Sequence, residues 1–143
     1  MRVVALKRRL WLVPVILLLG LVIWASGVRT YRLPVSNSFA TRAYLKYHYN
    51  GKAIDVQITD AKDVEALKGI LTGLVCRDNP ACMFDEDVSI TLSDGRKSIM
   101  FCPAFCGDST FALGNTDIHL NVSDKKRRAF DDICKRYGVV FPV

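Results

Sequence analysis

The first long apolar run, Leu10 to Val28, carries no charge over nineteen residues and contains Trp11, Leu12, Val13, Ile16 to Leu19, Leu21, Val22, Ile23 and Trp24. As a helix it has the length of about one bilayer crossing. Beyond it the period changes, and apolar residues alternate with polar ones in three pairs of short runs. Ala43 to Tyr49 and Lys52 to Thr59 flank Asn50-Gly51, a strong two-residue hairpin signal because both turn positions tolerate positive φ. That turn sets Tyr49 opposite Lys52, Tyr47 opposite Ile54, Leu45 opposite Val56 and Ala43 opposite Ile58, so the apolar partners share one face and Lys46 meets Asp55 on the other. Val88 to Leu92 and Lys97 to Cys102 flank Asp94-Gly95; a tight turn there puts Val88 opposite Phe101 and Ile90 opposite Ile99. Ser109 to Leu113 and Asp117 to Val122, around Gly114-Asn115-Thr116, match Leu113 with Ile118 and Phe111 with Leu120.

Between the runs, helical spacing takes over. Asp60 can cap a helix from Ala61 to about Val75 with Val64, Leu67, Leu71 and Leu74 on one stripe, weakened by Gly69 and Gly73. Ser123 can cap a second, with Phe130, Ile133, Cys134 and Tyr137 inside and Gly138 at its end. The predicted order is hairpin, helix, hairpin, hairpin, helix. This is an α+β domain of two layers, an antiparallel sheet of about six strands with two helices on its apolar face. The expected organisation is a basic stub over 1–9, the apolar segment over 10–28, a tether over 29–42 marked by Pro34 and Ser36-Asn37-Ser38, and the domain over 43–143.

Charge changes the picture because it is local. The chain carries a net charge of +6 from 20 Lys+Arg and 14 Asp+Glu, and residues 1–32 contribute Arg2, Lys7, Arg8, Arg9, Arg29 and Arg32 with no acid. The remainder is neutral, which argues against nucleic acid as a partner, since phosphate recognition needs the bases on the folded module. Four bases before the apolar segment and two after it place the amino terminus in the cytoplasm and the carboxyl-terminal domain outside, held to the lipid bilayer through Leu10 to Val28. Interfacial Trp11 and Trp24 fit an uncleaved single-pass signal-anchor. The alternative is a signal peptide cut near Ala25-Ser26-Gly27, which would release a periplasmic or secreted protein.

All five cysteines lie in the part assigned to the oxidising side. Cys134 reads as a buried thiol on the inner helix stripe. Cys76, Cys82, Cys102 and Cys106 are disulfide candidates, either paired locally as 76–82 and 102–106 or crossed between the two loops. Zinc is not expected, because five residues separate the first pair. A redox motif is not expected either, because three residues separate Cys102 from Cys106 after a strand.

Other candidate positions are isolated. His48 and His119 fall on the face opposite the apolar one and are expected to be exposed; with Asp55 and the loop residue Phe105 they are the polar and aromatic groups available for binding. Ser109 lacks the second glycine of a nucleophile elbow. Asp85-Glu86-Asp87 lacks the spaced ligands of a calcium loop. Lys125-Lys126-Arg127-Arg128, with Asp124, Asp131 and Asp132 at helical spacing, reads as a charge-laced outer helix face. Asn121-Val122-Ser123 is a formal glycosylation sequon. No catalytic residue, metal or cofactor is expected.

The stretch Val88 to Ala104, which closes on Cys102-Pro103-Ala104, then Phe111-Ala-Leu-Gly114 and a closing segment Phe130 to Gly138, resembles a group of small uncharacterised bacterial domains that are extracytoplasmic or membrane-attached. The resemblance covers about residues 52 to 138 and implies bacterial origin and an envelope location. Two functional readings follow. One is a non-catalytic module that binds an envelope protein or ligand through its sheet face or cysteine loops. The other is a small thiol-active or metal-dependent enzyme using Cys102 and Cys106.

Overall fold

A computed structural model of the chain describes residues 14–21, 33–77 and 82–141. It separates into a unit over Met1–Tyr31 and a second over Arg32–Val143. In the first, residues 14–21 are helical (α1), with Val15 to Leu19 and Leu21 exposed. The remainder of the expected span, 10–13 and 22–28, lies outside the described residues, as do the stub and the cleavage site. Among the described residues no helix is long and apolar enough to cross a membrane.

The second unit is α+β. Its strands are β1 (Leu33–Val35), β2 (Arg42–Tyr49), β3 (Lys52–Ile58), β4 (Gly73–Arg77), β5 (Val88–Ser93), β6 (Ser98–Pro103), β7 (Thr110–Leu113) and β8 (Ile118–Asn121); its helices are α2 (Ala61–Ile70) and α3 (Asp124–Arg136). The sheet has eight strands in the order β1-β4-β8-β7-β6-β5-β2-β3, and every pairing described is antiparallel. It therefore exceeds the predicted six by β1 and β4.

Both extra strands come from segments read differently in the sequence. Residues 33–35, expected in the tether, pair with β4. The tether's polar cluster is docked too, since the buried Asn37 amide donates to the Leu71 carbonyl at 2.9 Å, one of the carbonyls left open at the end of α2. The helix predicted to reach Val75 stops at Ile70, because Gly73 takes φ +155° and residues 73–77 become β4.

The first hairpin has the predicted register from Ala43↔Ile58 to Tyr49↔Lys52, with Asn50 and Gly51 at φ 51° and 76°. The third pairs Phe111 with Leu120 as predicted. The second differs, since Ile90 faces Phe101 and Leu92 faces Ile99, two residues from the predicted match. Here the Asp94 carboxylate accepts hydrogen bonds from the Arg96 and Lys97 amides, both at 2.7 Å, and holds a four-residue loop rather than a two-residue one. A shift of two preserves side-chain parity, so the apolar face is unchanged.

That face carries the core. Leu45, Ile58, Val75, Ile90, Leu92, Phe101, Phe111 and Leu120 from the sheet join Val64, Leu67 and Ile70 of α2 and Phe130, Ile133 and Cys134 of α3 in one cluster. Asp60 caps α2 by accepting from Lys62 and Asp63 amides, and Ser123 caps α3 by accepting from Lys126, as the sequence predicts. The helices are cross-linked at their surfaces, where Tyr137 Oη donates to Asp63 Oδ2 at 2.8 Å and Arg136 pairs with the same carboxylate.

Candidate functional site

The second face of the sheet is where the chemistry collects. Period-two alternation sends Cys102, Ala112, His119 and Cys76 to this face on β6, β7, β8 and β4, and the registers Cys102↔Ala112, Ala112↔His119 and Cys76↔His119 align them in one row. Ser89, Lys46 and Asp55 lie on the same face of β5, β2 and β3.

One side of this face is roofed. Residues 82–87 cross it, held by the Phe84 ring against the His119 ring at 5.1 Å between centroids. A hydrogen bond from the Phe105 amide to the Met83 carbonyl (3.2 Å) ties this segment to the loop after β6. So does a disulfide between Cys82 and Cys106, with Cα atoms 6.0 Å apart. Beside the roof is a cleft of about 490 Å³ with Cys102 and Ala112 on its floor, Phe84 to Asp87 on one wall and Gly114 to Thr116 on the other.

Cysteine pairing is thus crossed between the loops, and neither local pair forms. Cys76 and Cys102 are free thiols, as is Cys134. The reason is strand geometry: Cys102 is still inside β6 and points into the second face, while Cys106 lies beyond the strand end where the 82–87 segment passes. Cys76 instead contacts β8, its thiol lying 3.8 Å from the His119 carbonyl and accepting from the Asn121 amide at 3.6 Å. Asn121, the sequon residue, also accepts from the Thr110 hydroxyl at 2.9 Å.

Two of the free thiols, Cys102 and Cys134, are held protonated by their surroundings. Burial, followed by the negative charges of Glu86 and Asp85, pushes Cys102 up to about 11. Burial raises Cys134 further. A thiolate nucleophile needs the opposite surroundings, a cation or a helix start. The pair Cys102 and Cys106 that a thiol-active reading would use is not assembled, since Cys106 is bonded to Cys82.

The histidines differ from each other. His48 is exposed, as expected, and bonds Asp55, Nε2 to Oδ2 at 2.7 Å, so these two candidates do meet. Asp55 is opposite Lys46 in register, yet the Lys46 ammonium bonds Asp87 at 2.5 Å. That bond raises Lys46 and lowers Asp87. His119, expected to be exposed, is only 5% accessible because Phe84 covers it. Sequence parity names the face of a side chain but not what a distant loop lays over it. Phe105 stacks on Tyr49 at 5.1 Å and packs against the core, so it braces the loop.

The basic run at the start of α3 also hides an exception. Arg127 is buried, 4% accessible, and its guanidinium bonds the carbonyls of Ala104 and Asp108, pairs with Asp131 at 3.1 Å, and lies over the Phe111 and Phe141 rings. It fastens both ends of the Cys106 loop. Ser109 adds a hydrogen bond to Asp124 at 2.7 Å. The spacing could have revealed Arg127, since it stands three before Phe130 and seven before Cys134 on the inner stripe.

Among the described residues, Cys82, Cys106 and Asp108 bring three potential metal-ligand atoms within 4.8 Å of one another, two of them the sulfurs now joined in the disulfide. Asp108 Oδ2 approaches Cys82 Sγ to 3.0 Å; in the disulfide that sulfur has no proton, so this is a contact and not a hydrogen bond. No family model matches the chain, and no curated protein or solved structure is found similar to it.

Proposed function

We propose that the chain is a single-pass envelope protein of the bacterial inner membrane, anchored through Leu10 to Val28, whose extracytoplasmic domain is a non-catalytic binding module. Its binding site is the cleft on the second sheet face, and its partner is an envelope protein or ligand that presents basic or hydrogen-bonding groups to Asp85 and Glu86. The observation that carries this reading is the cleft itself. A disulfide-tied segment is laid over the sheet, leaves a space of about 490 Å³ beside it, and lines that space with carboxylates over a protonated thiol. A volume of this size suits a small ligand or a few side chains of a partner. The charge asymmetry around Leu10 to Val28 supports the anchor and its orientation.

Two measurements test it. The intact mass from native membranes, alkylated without reduction, is expected to retain the amino terminus and to show three alkylated thiols, because the structure has one disulfide and three free cysteines. Loss of about 27 residues would replace the anchor with a released protein. A photo-crosslinking residue at Asn115, on the cleft rim, is expected to give a discrete adduct in cells that the same residue at Lys62, on exposed α2, does not. Identical products from both positions, or an adduct that survives Asp85→Lys with Glu86→Lys, would remove the cleft from the binding role.

A further inference from the structure

We infer that Cys82, Cys106 and Asp108 form a redox-gated site for a thiophilic divalent cation, closed while the two cysteines are joined and opened when the bond is reduced. The site is separate from the cleft and stands whether or not the cleft binds a partner.

The two cysteines are held together by more than their own bond. On one side, Phe84 rests on His119 and the Met83 carbonyl accepts from the Phe105 amide at 3.2 Å. On the other, Arg127 grips the Ala104 and Asp108 carbonyls, the Ala104 amide donates to Thr110 at 3.0 Å, and Phe105 stacks on Tyr49. None of these contacts involves sulfur. Cutting the disulfide therefore leaves both thiols in place rather than releasing two loops.

The third group is already aimed. Asp108 Oδ2 is 3.0 Å from Cys82 Sγ, and all three donor atoms lie within 4.8 Å. A tetrahedral zinc ion with Zn–S of ~2.3 Å holds neighbouring ligand atoms roughly 3.7 Å apart, inside the 4.8 Å that spans the three donor atoms here. Cys106 and Asp108 are exposed, so an ion has a route in and a water molecule can complete the coordination.

In the closed state the sulfurs share a bond and are poor ligands. A dithiol reductant breaks it: two electrons pass to the S–S bond, the reductant becomes a disulfide, and its two protons end on Cys82 and Cys106. Cation binding then expels both protons to solvent and leaves two thiolates and one carboxylate on the metal. After loss of the metal, exchange with the disulfide form of the same dithiol closes the site again: that disulfide takes the two electrons and both protons and leaves as the dithiol.

The test uses the full chain in detergent with Zn²⁺ and Co²⁺ as probes. The protein is reduced with a phosphine, which is then removed under inert gas. The reduced protein is expected to take one Zn²⁺ in competition with a chromophoric chelator and to release about two protons per ion. With Co²⁺ it should show sulfur-to-metal charge-transfer absorption, which a carboxylate-only site does not produce. The oxidised protein should show neither. Asp108→Asn, which keeps the disulfide and the backbone carbonyl held by Arg127, is expected to weaken binding at least about tenfold. Cys102→Ser should leave it unchanged. Equal binding by oxidised and reduced protein, binding that survives Cys106→Ser, or binding lost in Cys102→Ser would each overturn the assignment.

Discussion

At the scale of single residues, the side chain whose energetics are most readily isolated is Asp63. Burial pushes its carboxyl up, but the hydrogen bonds donated by Tyr137 and Arg136, with the guanidinium charge, outweigh burial and hold it below the ordinary value of 3.8. The same contact, after burial, pushes Tyr137 up to about 12. A carboxyl whose folded value is depressed adds stability that is complete above its unfolded value and disappears as pH falls through the folded one. The stability of the domain is therefore expected to drop below pH 3.8, and urea titrations of Asp63→Asn should show a shallower drop over that window. Identical acid profiles for the two proteins would mean that the bridge between α2 and α3 contributes nothing. Arg127 shows the limit of reading residues one at a time: its neighbours Lys125, Lys126 and Arg128 are accessible while it alone turns under the sheet's end to meet two carbonyls.

At the scale of elements, two glycines of one predicted helix separate. Gly69 lies inside α2, exposed, with open space where a Cβ would go. Gly73 begins β4 at φ +155°, and a Cβ there would meet Leu120 Cδ1 at 3.2 Å. The two substitutions to alanine should have opposite signs. Gly69→Ala is expected to stabilise by about 0.5–1 kcal/mol through helix propensity. Gly73→Ala is expected to destabilise by about 1–3 kcal/mol through backbone strain and crowding. Chemical denaturation of both variants checks this, and a stabilising Gly73→Ala would return residues 71–75 to the helix that their spacing suggests. That stripe, Leu71 and Leu74 included, was legible as periodicity, but a helix needs its φ values as well as its period, and Gly73 supplies the break.

At the scale of the molecule, the disulfide joins positions 24 residues apart across the second face. Closing a loop of that length restricts the unfolded chain by about 3 kcal/mol on loop-entropy estimates. Reduction should lower the denaturation midpoint accordingly while the near-ultraviolet signature of Tyr49 and Phe105 packing persists, because the hydrogen bonds at Met83, Ala104 and Asp108 do not depend on sulfur. Collapse of that signature on reduction would show that the bond alone positions the two loops. Local pairing of Cys76 with Cys82 and of Cys102 with Cys106 is the first reading of the sequence, with crossed pairing its main alternative; strand direction excludes the local pairs by sending Cys102 and Cys76 to interior positions of the sheet.

Local rules were enough for the elements that close on themselves. The Asn50-Gly51 hairpin, the caps at Asp60 and Ser123 and the parity of the apolar face depend on neighbours a few residues apart, so their residue types carry the answer. The α+β class follows from them. The tertiary structure alone decided which distant segments meet: β1 on β4, Phe84 over His119, Cys82 beside Cys106, and Arg127 under the Cys106 loop. These contacts are fixed by where the crossover through α2 and the 82–87 segment run relative to the sheet. Periodicity cannot encode that, because it describes the face a residue is on and carries no information about which part of the chain arrives there.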